Sequence, residues 1–343
     1  MSKKKILIFG AAGFMGTYLI DALSKMDFDI TASDISEIGR EFYDKMNISY
    51  INVDITKGPD FEKLPQIPYD VVIHLAATQP ANVSVKNYDP KNYINVNVSG
   101  TLNILEFCRN NKVGKLIYAS SHRNTQGLWK YNKAVTEEDG RALMYHGEYA
   151  MFSISESAAQ DCVLHYNDQY GFNGIIFRLP PVYGFGPHTE IFKDGKPIKT
   201  GFQIFIDNAK SGKPIEVWGD SSKGRDIVYI KDVISAFLKA IEIENLKGLF
   251  NITSGKRLTL REEAETIAKV FWAGDTEPFI IERPEKENNI DNFLYDITKA
   301  KRELGWSPQY SFEDMLHDYI KEGDNNTFGY LIEKRKRMLK EDN

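Results

Sequence analysis

The sequence contains little of what a metal-binding or membrane-spanning protein needs. Its 343 residues include two cysteines, Cys108 and Cys162, which lie in separate apolar helical patterns without the spacing of metal ligands. We expect buried free thiols in a reducing cytosol, and we expect no metal site. No stretch approaches the roughly 18 consecutive apolar residues of a membrane span. The run Lys3–Lys5 precedes a strand pattern rather than a signal-peptide core.

The chain also lacks a strong excess of one charge. Its 43 Lys and Arg nearly balance 48 Asp and Glu, for a formal net charge of −5. This mild acidity argues against nucleic acid or an anionic membrane as a main partner, and we expect a cytoplasmic location. The length suits one large domain or two modest ones, with ample residues for a core.

Strand patterns alternate with helical patterns in the first half of the chain. Helices are expected near Val98–Asn110 and Tyr149–Tyr170, and strands between them. This order predicts an α/β fold, a doubly wound parallel (Rossmann-like) sheet with a smaller C-terminal lobe. The expected units are residues 1–180, with segments near 225–255 returning to them, a partly interleaved lobe over 181–330, and a charged tail over 331–343. Within that tail we expect the charge run Glu333–Arg337 to be a solvated helix face or a frayed end.

The most informative stretch is a strand-length apolar run that breaks on three glycines and resumes with helical spacing. The glycines are Gly10, Gly13 and Gly16. They remove side chains where a diphosphate would approach backbone N–H groups at a helix start. A second strand ends on Asp34, whose carboxylate can accept hydrogen bonds from adenosine ribose hydroxyls. That carboxylate would repel the 2′-phosphate of NADP, so NAD is the expected cofactor.

From about Lys5 to about Gly323 the chain resembles the extended short-chain dehydrogenase/reductase family, the NAD-dependent nucleotide-sugar epimerases and dehydratases. The landmarks that carry the resemblance occur in family order: the glycine turn, Asp34, Asp54-Ile55, His74–Ala77, Asn97–Thr101, Tyr118–Ser121, Val182–Gly184, Arg225–Tyr229 and Leu304–Pro308. The resemblance implies a substrate lobe after the sheet and a homodimer formed through the two helices named above. It implies the following cofactor contacts: Gly10, Gly13, Phe14, Met15, Gly16, Asp34, Asp54, Ile55, Leu75, Ala76, Ala77, Asn97, Ala119, Phe152, Glu156 and Pro180.

One landmark of the family is missing, and it is the pair that carries the chemistry. The family has Tyr-x-x-x-Lys on a helix, in which Tyr is the general acid/base and Lys lowers its pKa. Counting back from Tyr170-Gly171 and from Arg178 places Phe152 in the Tyr position and Glu156 in the Lys position. Neither Tyr145 nor Tyr149 restores the pair, because Tyr149 and Ser153 stand four residues after them.

Substitute acid/base groups are conceivable. Tyr145, Tyr149, Phe152 and Glu156 follow spacings of four, three and four, which would place them on one helix face. Tyr149 or Glu156 could then transfer protons, or the aromatic side chains could simply pack the helix against its neighbour. An ionised Glu156 would raise the pKa of a nearby phenol, which is unfavourable for a base.

Other candidates follow the strand that ends at Ser121. Ser121 occupies the polarising position of the family, and His122 could transfer protons near neutral pH, although a loop histidine is more often simply solvated. Thr78, Ser121 and Arg225 are the expected substrate contacts, with Arg225 on a substrate diphosphate. The family's sugar-nucleotide Asn is replaced by Pro181.

Two functions therefore stay open. One is an NAD-dependent enzyme that acts on a nucleotide sugar, by epimerisation, dehydration or oxidoreduction, with rearranged acid/base residues. The other is a binding protein that holds NAD, with or without a sugar nucleotide, as a sensor or partner subunit. The retained Ser121 and Arg225 favour the enzyme, whereas Phe152, Glu156 and Pro181 favour the binding protein.

Overall fold

A computed structural model of the chain describes residues 3–80, 88–147, 149–187, 189–193, 196–288 and 290–341. The last two residues of the expected tail, 342 and 343, lie outside this part of the chain. Within the described residues, no helix has the length and apolar character needed to cross a bilayer.

A seven-stranded parallel sheet forms the centre of the protein. From one edge to the other its strands are β14 (Gly248–Asn251), β7 (Gly174–Leu179), β5 (Lys115–Ser121), β4 (Val71–His74), β1 (Lys4–Phe9), β2 (Phe28–Asp34) and β3 (Ser49–Asn52). The strand order turns back at β1 and β4, which is where a doubly wound sheet opens a crevice for a ligand.

Helices cover both faces of this sheet. They are α1 (Phe14–Ser24), α2 (Arg40–Lys45), α3 (Pro90–Tyr93), α4 (Thr101–Asn110), α5 (Ala150–Gln169) and α7 (Ile230–Glu242). Alternate residues of β1 enter different cores, because side chains in a strand point to opposite faces. Ile6 and Ile8 pack with α1, whereas Leu7 and Phe9 pack with α4 and α5. The expected doubly wound α/β fold is confirmed.

The helix expected from Val98 begins earlier and is irregular. Between α3 and α4 the chain makes one wide, π-helical turn over Ile94–Gly100, so a helical path runs from Pro90 to Asn110. Turns of this kind occur often at functional sites, and this one carries Asn97.

The second lobe is built from short strand pairs and helices. The pairs are β6 (Ala134–Val135) with β17 (Leu294–Tyr295), β8 (Val182–Tyr183) with β13 (Val228–Tyr229), β9 (Glu190–Lys193) with β10 (Lys196–Lys199), β11 (Ile215–Trp218) with β16 (Ile280–Arg283), and β12 (Gly224–Asp226) with β15 (Arg257–Thr259). The helices are α6 (Gly201–Lys210), α8 (Leu260–Phe271), α9 (Thr298–Glu303) and α10 (Phe312–Asn325). The two lobes are interleaved in sequence, because β6, which follows β5 of the central sheet, pairs with β17 of the second lobe.

The expected charged tail lies in a helix, α11 (Gly329–Glu341), and the start of this helix is packed on one face. Leu331 is 1% exposed, and Phe328 just before the helix is 2% exposed. In the charge run that follows, Glu333, Lys336 and Arg337 are exposed and Lys334 is half-buried. The packed residues precede this run, and the rings of Phe328 and Tyr330 contact α1 and α2.

Candidate active site

The glycine turn closes against the end of β4. Gly10 has φ of +80°, and a Cβ there would lie 2.6 Å from the backbone nitrogen of Ala76. Gly13 is the N-cap of α1, with φ −81° and ψ 175°, and a Cβ on Gly16 would collide with the carbonyl of Gly10. Backbone thus fills the space where side chains would otherwise stand. A diphosphate can reach the N-terminus of α1 only through such a turn, so these residues fit a dinucleotide.

Phe14 and Met15 follow Gly13 of the glycine turn directly. Phe14 and Met15 open α1, and the ring of Phe14 packs beneath Gly184 and Gly186 of the second lobe. The side chain of Phe14 therefore packs the start of α1 against the second lobe, and its expected contact with the cofactor stays a prediction.

Asp34 ends β2 beside the glycine turn. Its Oδ2 accepts from the backbone N–H of Ala12 at 3.0 Å, and its Oδ1 accepts from Ser36 N–H at 2.9 Å. Each oxygen retains acceptor capacity for a ribose hydroxyl. The position matches the expectation for an NAD site.

Asp54 and Ile55 lie after β3, where the resemblance placed the adenine contacts. The carboxylate of Asp54 accepts from both the N–H and the hydroxyl of Thr56, at 3.0 and 2.7 Å, and pairs with Lys57 at 3.1 Å. It is turned into its own loop. The carbonyl of Ile55 accepts from Asn103, and its side chain packs beneath Gly100.

Asn97 connects the segment after β4 to helix α5. Its Oδ1 accepts from Thr78 N–H at 2.8 Å, and its Nδ2 donates to the hydroxyl of Ser155 at 2.9 Å. Asn97 is 1% exposed. The wide helical turn aims this side chain inward, so Leu75, Ala76, Ala77 and Thr78 are held over the sheet edge next to the glycine turn.

Phe152 and Glu156 are both buried on α5, at 8% and 2% exposure. The Oε2 of Glu156 accepts from the hydroxyl of Tyr118 on β5 at 2.7 Å. Burial raises the pKa of Glu156 to about 7, although the bond from Tyr118 opposes this. The expected anion in the Lys position is therefore partly protonated near neutral pH, because the interior disfavours the charged form.

The phenol beside Glu156 is Tyr118, which the sequence reasoning missed as a site residue. Burial is the first cause that raises the pKa of Tyr118 well above its ordinary value, and the charge of Glu156 adds to it. The sequence predicted that Glu156 would raise the pKa of a nearby phenol. This effect is present on Tyr118, which the prediction did not name. Alternation along β5 offered the only signal, since Tyr118 and Ser120 face α5.

The proposed four-residue helix face does not exist as such. Helix α5 begins at Ala150, with Tyr149 at its N-cap, and Tyr145 is 77% exposed in the preceding loop. Gly147, with φ of +86°, turns the chain just before the helix. Tyr149 is half-buried beneath the guanidinium of Arg123, 4.2 Å from the ring centroid. Tyr145 is therefore removed from the site, and Tyr149 stays at its edge.

His122 is buried rather than solvated, with 8% exposure. It packs against the rings of Trp129 and Phe293, which also stack on each other, and its Nδ1 donates to the carbonyl of Leu179 at 3.1 Å. Burial lowers the pKa of His122 well below its usual range, and the charge of Arg123 adds to this. The alternative of a solvated loop histidine was wrong, because His122 is buried. A neutral, stacked imidazole is a poor proton acceptor at neutral pH, which argues against the alternative of proton transfer by His122.

Ser121 ends β5 next to this histidine. Its Oγ accepts from Arg123 N–H at 3.1 Å, which leaves the hydroxyl proton available to a ligand. Ala119, two residues earlier on β5, is half-buried, and Pro180 after β7 is buried. Pro181 occupies the position of the family Asn. Its carbonyl accepts from Val228 N–H at 3.2 Å, so its backbone is hydrogen-bonded to β13 of the second lobe.

Arg225 lies on β12, half-buried, where it meets Tyr183 and Glu263. Its Nη2 donates to the hydroxyl of Tyr183 at 2.6 Å and lies 3.7 Å from the carboxylate of Glu263. Among the described residues its buried Nε has no acceptor. A second cation, Arg123, pairs with Asp291 at 3.1 Å and was not assigned a role from sequence. Both guanidiniums have partners in the second lobe, namely Asp291 for Arg123 and Tyr183 and Glu263 for Arg225.

The remaining polar groups do not form a metal site. Among the residues that the structure describes, no three His, Cys, Asp or Glu side chains gather closely enough to hold an ion. Cys108 is buried and Cys162 is half-buried, and both are free. His74 is fully buried, and burial lowers its pKa to about 3, so its imidazole stays neutral where it contacts Thr101 at 2.9 Å.

With this geometry established, residues 6–253 match the family model described as the NAD dependent epimerase/dehydratase family. The chain belongs to that family. The expected resemblance and the expected cofactor, NAD, are confirmed for this epimerase/dehydratase family member.

Curated relatives align over nearly the whole chain. A dTDP-4-dehydro-6-deoxyglucose reductase of Escherichia coli is 28% identical over 331 residues, covering 93% of this chain and 97% of the relative. A UDP-glucose 4-epimerase of Mycolicibacterium smegmatis is 26% identical over 317 residues, covering 90% and 95%. The alignment therefore extends through the second lobe as well as the sheet.

Solved structures confirm the fold. A UDP-N-acetylglucosamine 4-epimerase from Methanobrevibacter ruminantium M1 superposes with a TM-score of 0.75 at 22% identity, covering 95% of this chain and all of the other. The UDP-glucose 4-epimerase of Thermotoga maritima gives a TM-score of 0.73 at 23% identity, covering 94% and 99%.

Proposed function

We propose that this family member is an NAD-dependent enzyme acting on a nucleotide-activated sugar, and that Glu156 takes the place of the usual tyrosine in proton transfer. The observation that carries the proposal is the buried Glu156, whose pKa is raised to about 7 by burial and which is held by Tyr118 at 2.7 Å. A general acid/base works best when its pKa is close to the operating pH, and enzymes reach this with buried carboxyls.

Glu156 has one oxygen committed and one available. Oε2 accepts from Tyr118, and among the described residues Oε1 has no hydrogen-bond partner. Ionised, Glu156 can take the proton of a sugar hydroxyl on Oε1, and protonated, it can return it. Bound NAD would supply the hydride acceptor and donor. Ser121 contributes a hydroxyl whose proton can be donated to a sugar oxygen.

The substrate class rests on the two arginines and on the relatives. Arg225 offers a guanidinium with an unpartnered buried Nε, and Arg123 stands nearby over Tyr149. Planar guanidiniums suit phosphate oxygens. The relatives carry names that specify UDP- and dTDP-sugars. These observations favour a nucleoside diphosphate sugar bound across Arg225.

A catalytically silent binding protein is the second candidate, and Phe152 favours it. The phenyl ring occupies the position of the proton-transferring tyrosine, without a hydroxyl, and is buried. Losing positioned proton transfer costs about 3–5 kcal/mol of barrier while leaving cofactor and sugar binding intact.

Turnover assays separate the two candidates. The purified protein is supplied with NAD and a panel of UDP- and dTDP-sugars, and products are followed by chromatography and by nicotinamide absorbance. We expect turnover that is lost in Glu156→Gln and retained in Asp161→Asn, an exposed change on the same helix. Tyr149→Phe and His122→Ala test the remaining acid/base candidates.

The turnover assays could also favour the binding protein. Absence of turnover across the panel, together with tight binding of NAD and of a nucleotide sugar by calorimetry, supports the binding protein. In that case Phe152→Tyr combined with Glu156→Lys should create turnover, because it restores the usual acid/base pair.

We further propose that the protein is a cytoplasmic homodimer. The free thiols of Cys108 and Cys162 favour a reducing compartment. Helices α4 and α5 lie side by side and present Leu102 and Leu164, each more than a third exposed. Two copies joined through these helices would cover both leucines.

A further inference from the structure

The C-terminal helix α11 is anchored beside the dinucleotide site. The ring of Phe328 stacks on Tyr18 of α1 with centroids 3.8 Å apart, and the ring of Tyr330 stacks on Phe42 of α2 at 4.3 Å. Leu331 is 1% exposed. These contacts, all within residues 328–331, hold the start of α11 against α1 and α2.

Two side chains on one face of α11 reach the glycine turn. Tyr330 and Lys334 are four residues apart, so they lie one above the other. The Nζ of Lys334 donates to the carbonyl of Ala12 at 2.8 Å, and the hydroxyl of Tyr330 lies 3.5 Å from the same oxygen and bonds with Thr17. The N–H of Ala12 donates to Asp34 at 3.0 Å. Lys334 and Asp34 are thus hydrogen-bonded to opposite ends of one residue.

Lys334 is incompletely satisfied. An ammonium group has three N–H donors, and within the described part of the chain the carbonyl of Ala12 is the only acceptor for them. The side chain is half-buried. Burial lowers the pKa of Lys334, and the carboxylate of Asp34 opposes that change. A cation with free donors therefore stands next to the carboxylate that faces the adenosine ribose.

We propose that Lys334 determines cofactor specificity: its ammonium attracts a phosphate on the 2′-hydroxyl of the adenosine ribose and offsets the repulsion of that phosphate by Asp34. The site then discriminates between NAD and NADP less strongly than Asp34 alone would make it. This inference rests on the dinucleotide site and is independent of turnover, so it survives or fails separately from the proposed enzyme.

The test is a comparison of binding constants in the full-length protein. Dissociation constants for NAD and NADP are measured by calorimetry, with NADP also used at millimolar concentration as a competitor of NAD. In Lys334→Gln we expect the ratio of the NADP constant to the NAD constant to rise about tenfold, the size of effect that one charge pair at a partly exposed site produces. High salt should shrink this difference.

Lys336→Gln is the matched control. It removes the same charge from the same helix, but Lys336 is exposed and pairs with Glu333 at 2.8 Å. We expect its ratio to stay within about twofold of the wild type. An unchanged ratio in Lys334→Gln, an equal rise in Lys336→Gln, or a wild-type protein that NADP does not compete with, overturns the proposal. A melting temperature equal to that of the wild type shows that α11 remains folded in the variant.

Discussion

The buried carboxyl of Glu156 makes the stability of the protein depend on pH in a direction opposite to that of most carboxylates. Its pKa is about 7 in the folded protein against 4.5 for an exposed glutamate. The folded state therefore holds a proton that the unfolded chain releases. The stabilisation is complete below the unfolded pKa and is lost as the pH rises through the folded pKa.

The size of the effect follows from that difference. One pKa unit corresponds to about 1.4 kcal/mol, so a difference of roughly 2.5 units amounts to about 3 kcal/mol. About 2.5 kcal/mol of this should be lost between pH 5 and pH 8. Glu156→Gln mimics the protonated acid and should lack this dependence.

The assay is urea unfolding followed by tryptophan fluorescence at several pH values. We expect the free energy of unfolding of the wild type to fall relative to that of Glu156→Gln as pH rises. Glu106→Gln on α4 is the control, because Arg109 and Tyr166 lower the pKa of Glu106 and no such fall is expected. Parallel curves for the wild type and Glu156→Gln would refute the reasoning.

Two further predictions concern the cofactor cradle and assembly. Gly10→Ala should weaken NAD binding by at least tenfold in calorimetry, because the new Cβ would lie 2.6 Å from the nitrogen of Ala76 at a φ of +80°. Gly58→Ala, where a Cβ meets open space, should bind NAD normally, and equal binding by both variants would contradict the cradle. Light scattering should give twice the mass of one chain for the wild type and a smaller mass for Leu102→Glu, whereas a monomeric wild type would exclude the dimer.

The sheet and the cofactor turn could be predicted because their signals are local. The apolar run of β1, the glycine spacing and the position of Asp34 all lie within about 30 residues of sequence, and each follows from backbone sterics or strand periodicity. The order of family landmarks extended that reading to the second lobe. The same landmarks located Phe152 and Glu156, which α5 indeed carries.

The environments of site residues could not be predicted, because they depend on partners distant in sequence. From the sequence, His122 is a loop histidine, whereas in the structure it packs against Trp129 and Phe293. Glu156 reads as an anion until its burial beside Tyr118 is known. In both cases desolvation decides the charge, and desolvation has no local signature.

The tail shows the same limit in another form. The run Glu333–Arg337, one acid followed by four cations, is typical of a solvent-exposed segment. Nothing in it indicates that Lys334 contacts Ala12, near the other end of the chain. The aromatic Tyr330, four residues earlier, was the only hint of a packed face.

The pairing of β6 with β17 has a consequence for how the protein is made. The hydroxyl of Tyr295 donates to the carbonyl of His122 at 3.0 Å and contacts Thr125 at 2.7 Å, so the loop after β5 is completed by a segment synthesised about 170 residues later. A nascent chain can close the early strands on the ribosome, but this loop must wait for the second lobe to emerge. The candidate active site is therefore among the last parts to assemble, and truncation within the second lobe should leave a folded sheet without a complete site.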